Sequence, residues 1–320
     1  MFKRLLNECV IDLTLRPEGA LLIKSGLAQM SGVDMAWVKV PRNGGWEVYL
    51  PGSSLKGTIR SHAERIARTL NESAACNPLG GRRDKLRSCG SALDVMNRDK
   101  KETELTTPLV YQHSCPICRL FGNTWIMGRL ATEDAYVMGD APALQHRDGV
   151  GIDRFTGGAS RGAKFELEVI TGGEFKTALH LQNFELWQLG LLGFVLQDLR
   201  EGLVRMGSGK SRGLGKVVAQ IDKITLHYIG ARKKMLEDDH LNLMGVGALF
   251  EQAKDYGMAS DDQVRLEKAA AVKEESAFSE LRQTVSFSFD AFPWQAVAAK
   301  WVNYVQTLPS DPLKQYRSGR

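Results

Sequence analysis

Four glycines and three cations fall between Gly207 and Lys216, in the run Gly-Ser-Gly-Lys-Ser-Arg-Gly-Leu-Gly-Lys. Glycine lets backbone N–H groups come close to a ligand, and Lys210, Arg212 and Lys216 add positive charge, so the loop suits phosphate. Nucleotide-binding spacings do not fit it. A Walker loop ending in Gly209-Lys210-Ser211 needs its first glycine where this chain has Val204. A dinucleotide fingerprint opening at Gly207 and Gly209 needs a third glycine where Arg212 stands, and the residues that follow, Lys-Val-Val-Ala-Gln-Ile, read as a strand instead of a helix. Two readings remain: a grip on the phosphates of a polymer, or an ordinary glycine-rich turn between a helix and a strand.

A second chemical cluster is His113-Ser-Cys115-Pro-Ile-Cys118, with Cys89 and Cys76 upstream in an arginine-rich stretch. Thiolates and imidazole around a Cys-x-x-Cys turn suit tetrahedral zinc, and an insert without a core of its own needs such a staple. The expected ligands are Cys89, His113, Cys115 and Cys118. The rival set is four cysteines, with Cys76 in place of His113. Either way protein fills every position, so the Zn²⁺ is structural. The remaining cysteine, Cys9, falls on a predicted strand and reads as core.

Elements must hold these groups in place. Residues 8–24 alternate as a strand pair or one bent strand, and 35–40 with 46–50 read as a hairpin around Asn43-Gly44-Gly45. Pro51-Gly-Ser-Ser follows, where Ser53 or Ser54 caps a helix running to about residue 72, with Leu55, Ile59, His62, Ile66 and Leu70 on one face. Residues 73–114 are irregular and polar; 115–137 return to strand patterning; 141–163 form a glycine- and charge-rich excursion before a strand at 164–171. Residues 186–201 repeat at helical spacing and lead into the glycine loop. Beyond 230 the composition turns to Ala, Glu, Lys and Leu, predicting helices over 231–285, then an amphipathic helix carrying Trp294, Trp301 and Tyr304. Ser310 to Arg320 read as frayed.

The whole chain, 320 residues with 43% hydrophobic and 25% charged residues, has the composition of a globular protein, and its net charge of +5 favours an anionic partner. No apolar run is long enough for a bilayer and no signal-peptide core opens the chain, so a cytoplasmic protein is expected. The element order predicts an α+β fold: a ferredoxin-like (RRM-like) core over 1–230 with inserts at 73–120 and 141–163, and a helical C-terminal extension over 231–320.

Several segments also share an order. Pro51-Gly-Ser-Ser-Leu-Lys-Gly-Thr-Ile-Arg60 is followed by Cys118-Arg-Leu-Phe-Gly122 with Met127-Gly-Arg-Leu130, then Gly151-Ile-Asp-Arg-Phe-Thr156, then the glycine loop. This series resembles the RAMP superfamily, specifically the Cas-seven-type backbone subunits of type III CRISPR effector complexes, over about residues 8–222. The resemblance implies a subunit that lines a guide RNA together with other effector subunits. Ser53, Ser54, Lys56 and Arg60 would form one phosphate-binding wall at a helix N-terminus, and Gly209, Lys210, Ser211 and Arg212 the opposite wall, neither reading bases.

In that family a thumb hairpin wedges into the guide–target duplex. The matching stretch is 146–164, with Phe155 as the wedge and Arg154 or Arg161 on phosphate; the plainer alternative puts Phe155 in the core. Catalytic members cut target RNA at regular intervals with one aspartate, which here matches Asp34 in Ser31-Gly-Val-Asp34. It would act with Mg²⁺ or another divalent metal, or by deprotonating a ribose 2′-hydroxyl, making the chain a metal-dependent endoribonuclease. A non-catalytic scaffold is the alternative. A stand-alone guide-processing ribonuclease is another, with His180 and Tyr228 as its candidate bases near the glycine loop.

Overall fold

The computed structural model describes residues 3–26, 32–42, 44–80, 87–99, 105–230, 234–237, 240–267, 271–274, 276–308 and 311. Ser31, Asn43 of the hairpin turn, the arginine-rich run at 81–86 and all of the tail from 309 except Asp311 lie outside these residues.

Strand β1 (Asn7–Pro17) opens the chain, followed by the hairpin β2 (Lys39–Arg42) and β3 (Gly45–Leu50) and by helix α1 (Gly52–Leu70). The stretch expected to be irregular contains helices α2 (Cys89–Asp99) and α3 (Thr107–Gln112), which share a small core of Ala92, Leu93, Met96 and Val110. Helix α4 (Pro116–Phe121), strands β4 (Leu130–Thr132) and β5 (Ala135–Met138), and the long hairpin β6 (Gln145–Ile152) and β7 (Ala159–Val169) come next. Strand β8 (Glu174–Gln182), helix α5 (Leu186–Arg200) and strand β9 (Val217–Ile229) complete the first 230 residues.

The expected helices of 231–285 are instead mostly strands among the described residues: β10 (Leu236–Glu237), β11 (His240–Met244), β12 (Gln263–Glu267), β13 (Val272–Glu274) and β14 (Arg282–Phe287). Only the one-turn α6 (Val246–Leu249) and a 3₁₀ stretch at Glu251–Tyr256 are helical there. Strand pairing overrides the helix-favouring composition, because β12 alternates exposed and half-buried residues along β11. The terminal helix is present as expected, as α7 (Trp294–Gln306).

One antiparallel sheet organises the molecule, in the order β13-β14-β9-β1-β8-β5-β3-β2, with β4 also on β8. Inward residues of β1 (Cys9, Ile11, Leu13 and Leu15) are fully buried in a core that also takes Leu55 and Ile59 of α1 and Val297 and Trp301 of α7. Helix α5 is apolar nearly all round because the sheet covers one side and α7 the other. Two glycines make that second contact possible. A Cβ on Gly190 would lie 2.1 Å from the Val297 carbonyl oxygen, and one on Gly193 2.5 Å from the Trp294 ring. No helix among the described residues is long and apolar enough to cross a membrane.

Candidate RNA interface and cysteine centre

The cysteine centre joins the 3₁₀ turn Glu72–Ala74, α2 and α4. Cys76, Cys89, Cys115 and Cys118 bring their sulfurs within 4.8 Å of one another, and all four are buried. Cys115 immediately precedes α4 and Cys118 lies one turn inside it, so Pro116 starts a helix that aims both thiols the same way. The chain folds around the sulfurs: the N–H groups of Cys76, Cys89 and Cys115 donate to Cys115, Cys76 and Cys89 Sγ at 3.5, 3.4 and 3.2 Å. Cys76 and Cys118 Sγ are 3.6 Å apart. That is too long for a disulfide but close to the edge of a tetrahedron around zinc, about 3.8 Å for Zn–S bonds of about 2.3 Å.

Four buried sulfurs with N–H donors therefore fit a structural ion such as zinc. Hydrogen bonding to Cys118, then to Cys76 and Cys89, holds the Cys115 thiol well below the usual range. The residues brought together are those of the rival four-cysteine set: Cys76 is in the group and His113 is not. His113 ends α3, its N–H bound to the Leu109 carbonyl, before the chain turns through Ser114 to Cys115.

Helix α1 starts differently from expectation. Pro51 is the N-cap and neither Ser53 nor Ser54 caps with its side chain; the Gly52 N–H instead donates to Asp134 Oδ1 at 2.7 Å. A carboxylate from the turn between β4 and β5 thus already occupies the positive end of the helix. Ser53 is exposed, Ser54 and Lys56 are half-buried, and Leu70 is exposed, off the buried face. Lys56 has its ammonium pushed below the lysine range by burial, then by Arg60.

Arg60 turns inward. Its guanidinium donates to Glu64 at 3.0 Å, to the Gly122 carbonyl at 3.2 Å and to Cys118 Sγ at 3.9 Å. Burial, the largest influence, lowers its pKa, but Cys118, Glu64 and Cys76 together outweigh it and raise the group. Arg60, half-buried, therefore braces the cysteine centre.

The glycine loop is built against the residues after β1. Gly207 and Gly215 have φ of +76° and +90°, and a Cβ on either would come within 2.2 and 2.3 Å of the Leu22 and Met206 carbonyl oxygens. Ser208 N–H donates to the Leu22 carbonyl, and Gly215 N–H to that of Ala20. The apex is a 3₁₀ turn, Lys210–Arg212, with all three residues exposed.

The β6–β7 hairpin projects a tip in which Asp153 Oδ1 accepts from the Phe155 N–H at 2.9 Å and Oδ2 from the Thr156 hydroxyl at 3.1 Å. Those bonds hold the Asp153 carboxyl below the usual range, with the Phe155 N–H the leading cause. Phe155 is fully exposed at this tip, which removes the core alternative, and Arg154 and Arg161 are exposed beside it.

Asp34 lies at the base of that hairpin. Its Oδ2 accepts from the Glu166 N–H at 2.9 Å, while Met35 N–H donates to the Glu166 carbonyl and Glu168 N–H to that of Met35. Met35, Gly149, Phe165, Gly209 and Arg212 line one cleft of about 320 Å³. The Arg212 guanidinium sits 5.5 Å from the centre of the Phe165 ring. The loop of Asp34, the hairpin base and the glycine loop, separated widely in sequence, thus meet at one place.

Among the described residues no metal-ligating group forms around Asp34, the cysteine group being the only one of its kind.

The candidate processing bases lie elsewhere. The strand β9 leaves the glycine loop at Val217, and Tyr228 stands at its other end, buried, its hydroxyl accepting from the Met244 N–H at 2.9 Å. His180 is held on β8 between Glu8 at 3.2 Å and Glu133 at 3.0 Å, opposite Val10 of β1.

The RAMP superfamily model matches residues 37–218, more than half of the chain. The span holds α1, the four cysteines, the β6–β7 hairpin and the glycine loop; Asp34 lies just outside it. No curated protein matches the chain.

Proposed function

Because this chain belongs to the RAMP superfamily, whose members are CRISPR-associated RNA-binding proteins, we propose that it is a backbone-type subunit of a type III CRISPR ribonucleoprotein. It holds guide RNA by its phosphates and cuts the paired target RNA. The observation that carries this reading is the single cleft shared by the Asp34 loop, the hairpin base and the glycine loop. The order β9-β1-β8-β5, with α1 and α5 packed on the sheet, supports reading the core as ferredoxin-like.

In this reading the exposed Phe155 wedges into the guide–target duplex, with Arg154 on phosphate, and unstacks a nucleotide. Ser53, Ser54 and Lys56 contribute at the edge of the guide path, Arg60 only through the helix it braces, and Gly209, Lys210, Ser211 and Arg212 directly. One Asp34 carboxylate oxygen accepts from β7, and among the described residues the other accepts no hydrogen bond. That oxygen takes the proton of a target 2′-hydroxyl. The freed oxygen bonds to the adjacent phosphorus, and the bond to the next nucleotide's 5′-oxygen breaks, that oxygen taking a proton from water. The products are a 2′,3′-cyclic phosphate and a 5′-hydroxyl. Other effector subunits, including further copies of backbone type, complete the complex.

The test is Asp34→Ala in the assembled complex with guide and complementary target. Loss of a positioned base is expected to slow cutting by about 10²–10⁴-fold, with guide and target still bound. Undiminished cutting by the variant would remove Asp34 from the mechanism. A wild-type complex that binds target and leaves it intact would make the subunit a scaffold.

A further inference from the structure

Phe165 on β7 stands directly opposite Gly149 on β6. A Cβ on Gly149 would lie 2.3 Å from two atoms of the Phe165 ring, so the ring lies across the neighbouring strand, in the space a side chain would fill. The same ring has the Arg212 guanidinium 5.5 Å from its centre, within the range of a cation–π contact. Arg212 comes from an element anchored elsewhere, since the glycine loop is tied to the carbonyls of Leu22 and Ala20. Core packing does not account for this ring. Leu167, two positions on, packs against the main hydrophobic core, whereas among the described residues Phe165 is half-buried and belongs to no core cluster.

The backbone at Phe165 is engaged as well. Strand β7 pairs with β6 along one edge, and the Asp34 loop runs beside it in a parallel bridge between Met35 and Leu167. The first N–H after Phe165, that of Glu166, donates to Asp34 Oδ2 at 2.9 Å, and the Glu166 carbonyl accepts from Met35 N–H at 3.1 Å. The ring of Phe165 is thus fixed by β6 and the glycine loop, and the peptide that follows it holds the Asp34 carboxylate.

We propose that Phe165 is a positioning residue for target cleavage: its ring, seated over Gly149 and against Arg212, sets the Glu166 N–H and so the place of Asp34 relative to the glycine loop. The inference rests on the cleavage reading above and adds to it a residue that acts only through Asp34. A misplacement of about 1 Å can slow a positioned reaction by about 10²-fold without weakening substrate binding.

The experiment measures cutting of complementary target RNA by the assembled complex at a series of target concentrations. Phe165→Leu keeps an apolar side chain and loses the ring; it is expected to lower the rate at saturating target by about 10–100-fold and to leave the half-saturating concentration unchanged. Phe165→Tyr, which keeps the ring, should cut at close to the wild-type rate. Gly149→Ala pushes the ring away from the other side and should resemble Phe165→Leu, which keeps the test open if either variant fails to fold; unfolding midpoints show which variants are intact. In an Asp34→Ala background, Phe165→Leu should cause no further loss. Wild-type rates in both Phe165→Leu and Gly149→Ala would overturn the proposal, as would an equal loss with and without Asp34, and either result leaves the cleavage reading standing. Undiminished cutting by Asp34→Ala alone, or a wild-type complex that leaves bound target intact, would remove that reading and this inference with it.

Discussion

A single residue separates the two ligand sets that the sequence left open. Cys76 lies 39 positions before Cys115, yet its N–H reaches the Cys115 sulfur, whereas His113, two positions away, ends α3 and is not in the group. Sequence proximity misleads here because a helix end and a helix start intervene between His113 and Cys115. Cys76→Ser is expected to reduce bound zinc, measured by elemental analysis of the purified protein, and to lower the unfolding midpoint. His113→Ala should keep its zinc; loss of zinc in that variant alone would restore the histidine set. Phe155 gives the opposite kind of test. A fully exposed ring contributes almost nothing to folding, so Phe155→Ala should unfold at the wild-type temperature while target cutting in the assembled complex falls or loses its regular spacing. A stability loss of more than about 1 kcal/mol would mean that the ring is buried somewhere in the working protein.

Elements were legible in proportion to how local their causes are. The helix after Pro51, the helix at 186–201 and the terminal helix follow from periodicity and turn residues and are present, whereas of the strand expected over 8–24 only Asn7–Pro17 is regular strand, with isolated bridges at Leu21 and Lys24. The strands between 236 and 287 do not follow from periodicity, because Gln263–Glu267 is a strand only by virtue of β11 beside it, and β14 only by virtue of β9. The helix cap was missed for the same reason: the carboxylate on Gly52 comes from Asp134, 82 positions later. The α5–α7 contact makes a prediction whose sign is informative. In an exposed helix Gly→Ala stabilises by about 0.5–1 kcal/mol. At Gly190 the new methyl would meet the backbone of α7, so Gly190→Ala should instead destabilise by about 1–3 kcal/mol. Thermal or denaturant unfolding reads this directly, and a stabilised variant would show that α7 does not dock as described.

At the scale of the whole molecule, residues beyond 230 share both the sheet and the core of those before it: β14 extends the sheet at β9, and Trp301 and Tyr304 pack on Trp187. Asp262 belongs to this junction. Its Oδ2 accepts from Leu186 N–H at the start of α5 at 3.1 Å, and burial first, then Glu185, pushes its carboxyl up to about 7. A carboxyl raised in the folded state above its unfolded value of about 3.9 favours folding most when protonated. That contribution is lost as pH rises from about 4 to about 7. Asp262→Asn should therefore remove a fall in unfolding midpoint over that window relative to wild type; parallel profiles for the two proteins would contradict it.

Arg119 draws the junction tighter still. Its guanidinium holds the carbonyls of Tyr111, Ser114 and Gln112 around the cysteine turn and donates to the Tyr304 hydroxyl at 2.7 Å, across 185 positions of chain. Synthesis runs from the N-terminus, so the ribosome finishes the cysteine turn long before it makes the tyrosine that completes the guanidinium's bonds. During translation that arginine stays only partly satisfied until α7 has emerged, so a late helix closes a much earlier part of the molecule.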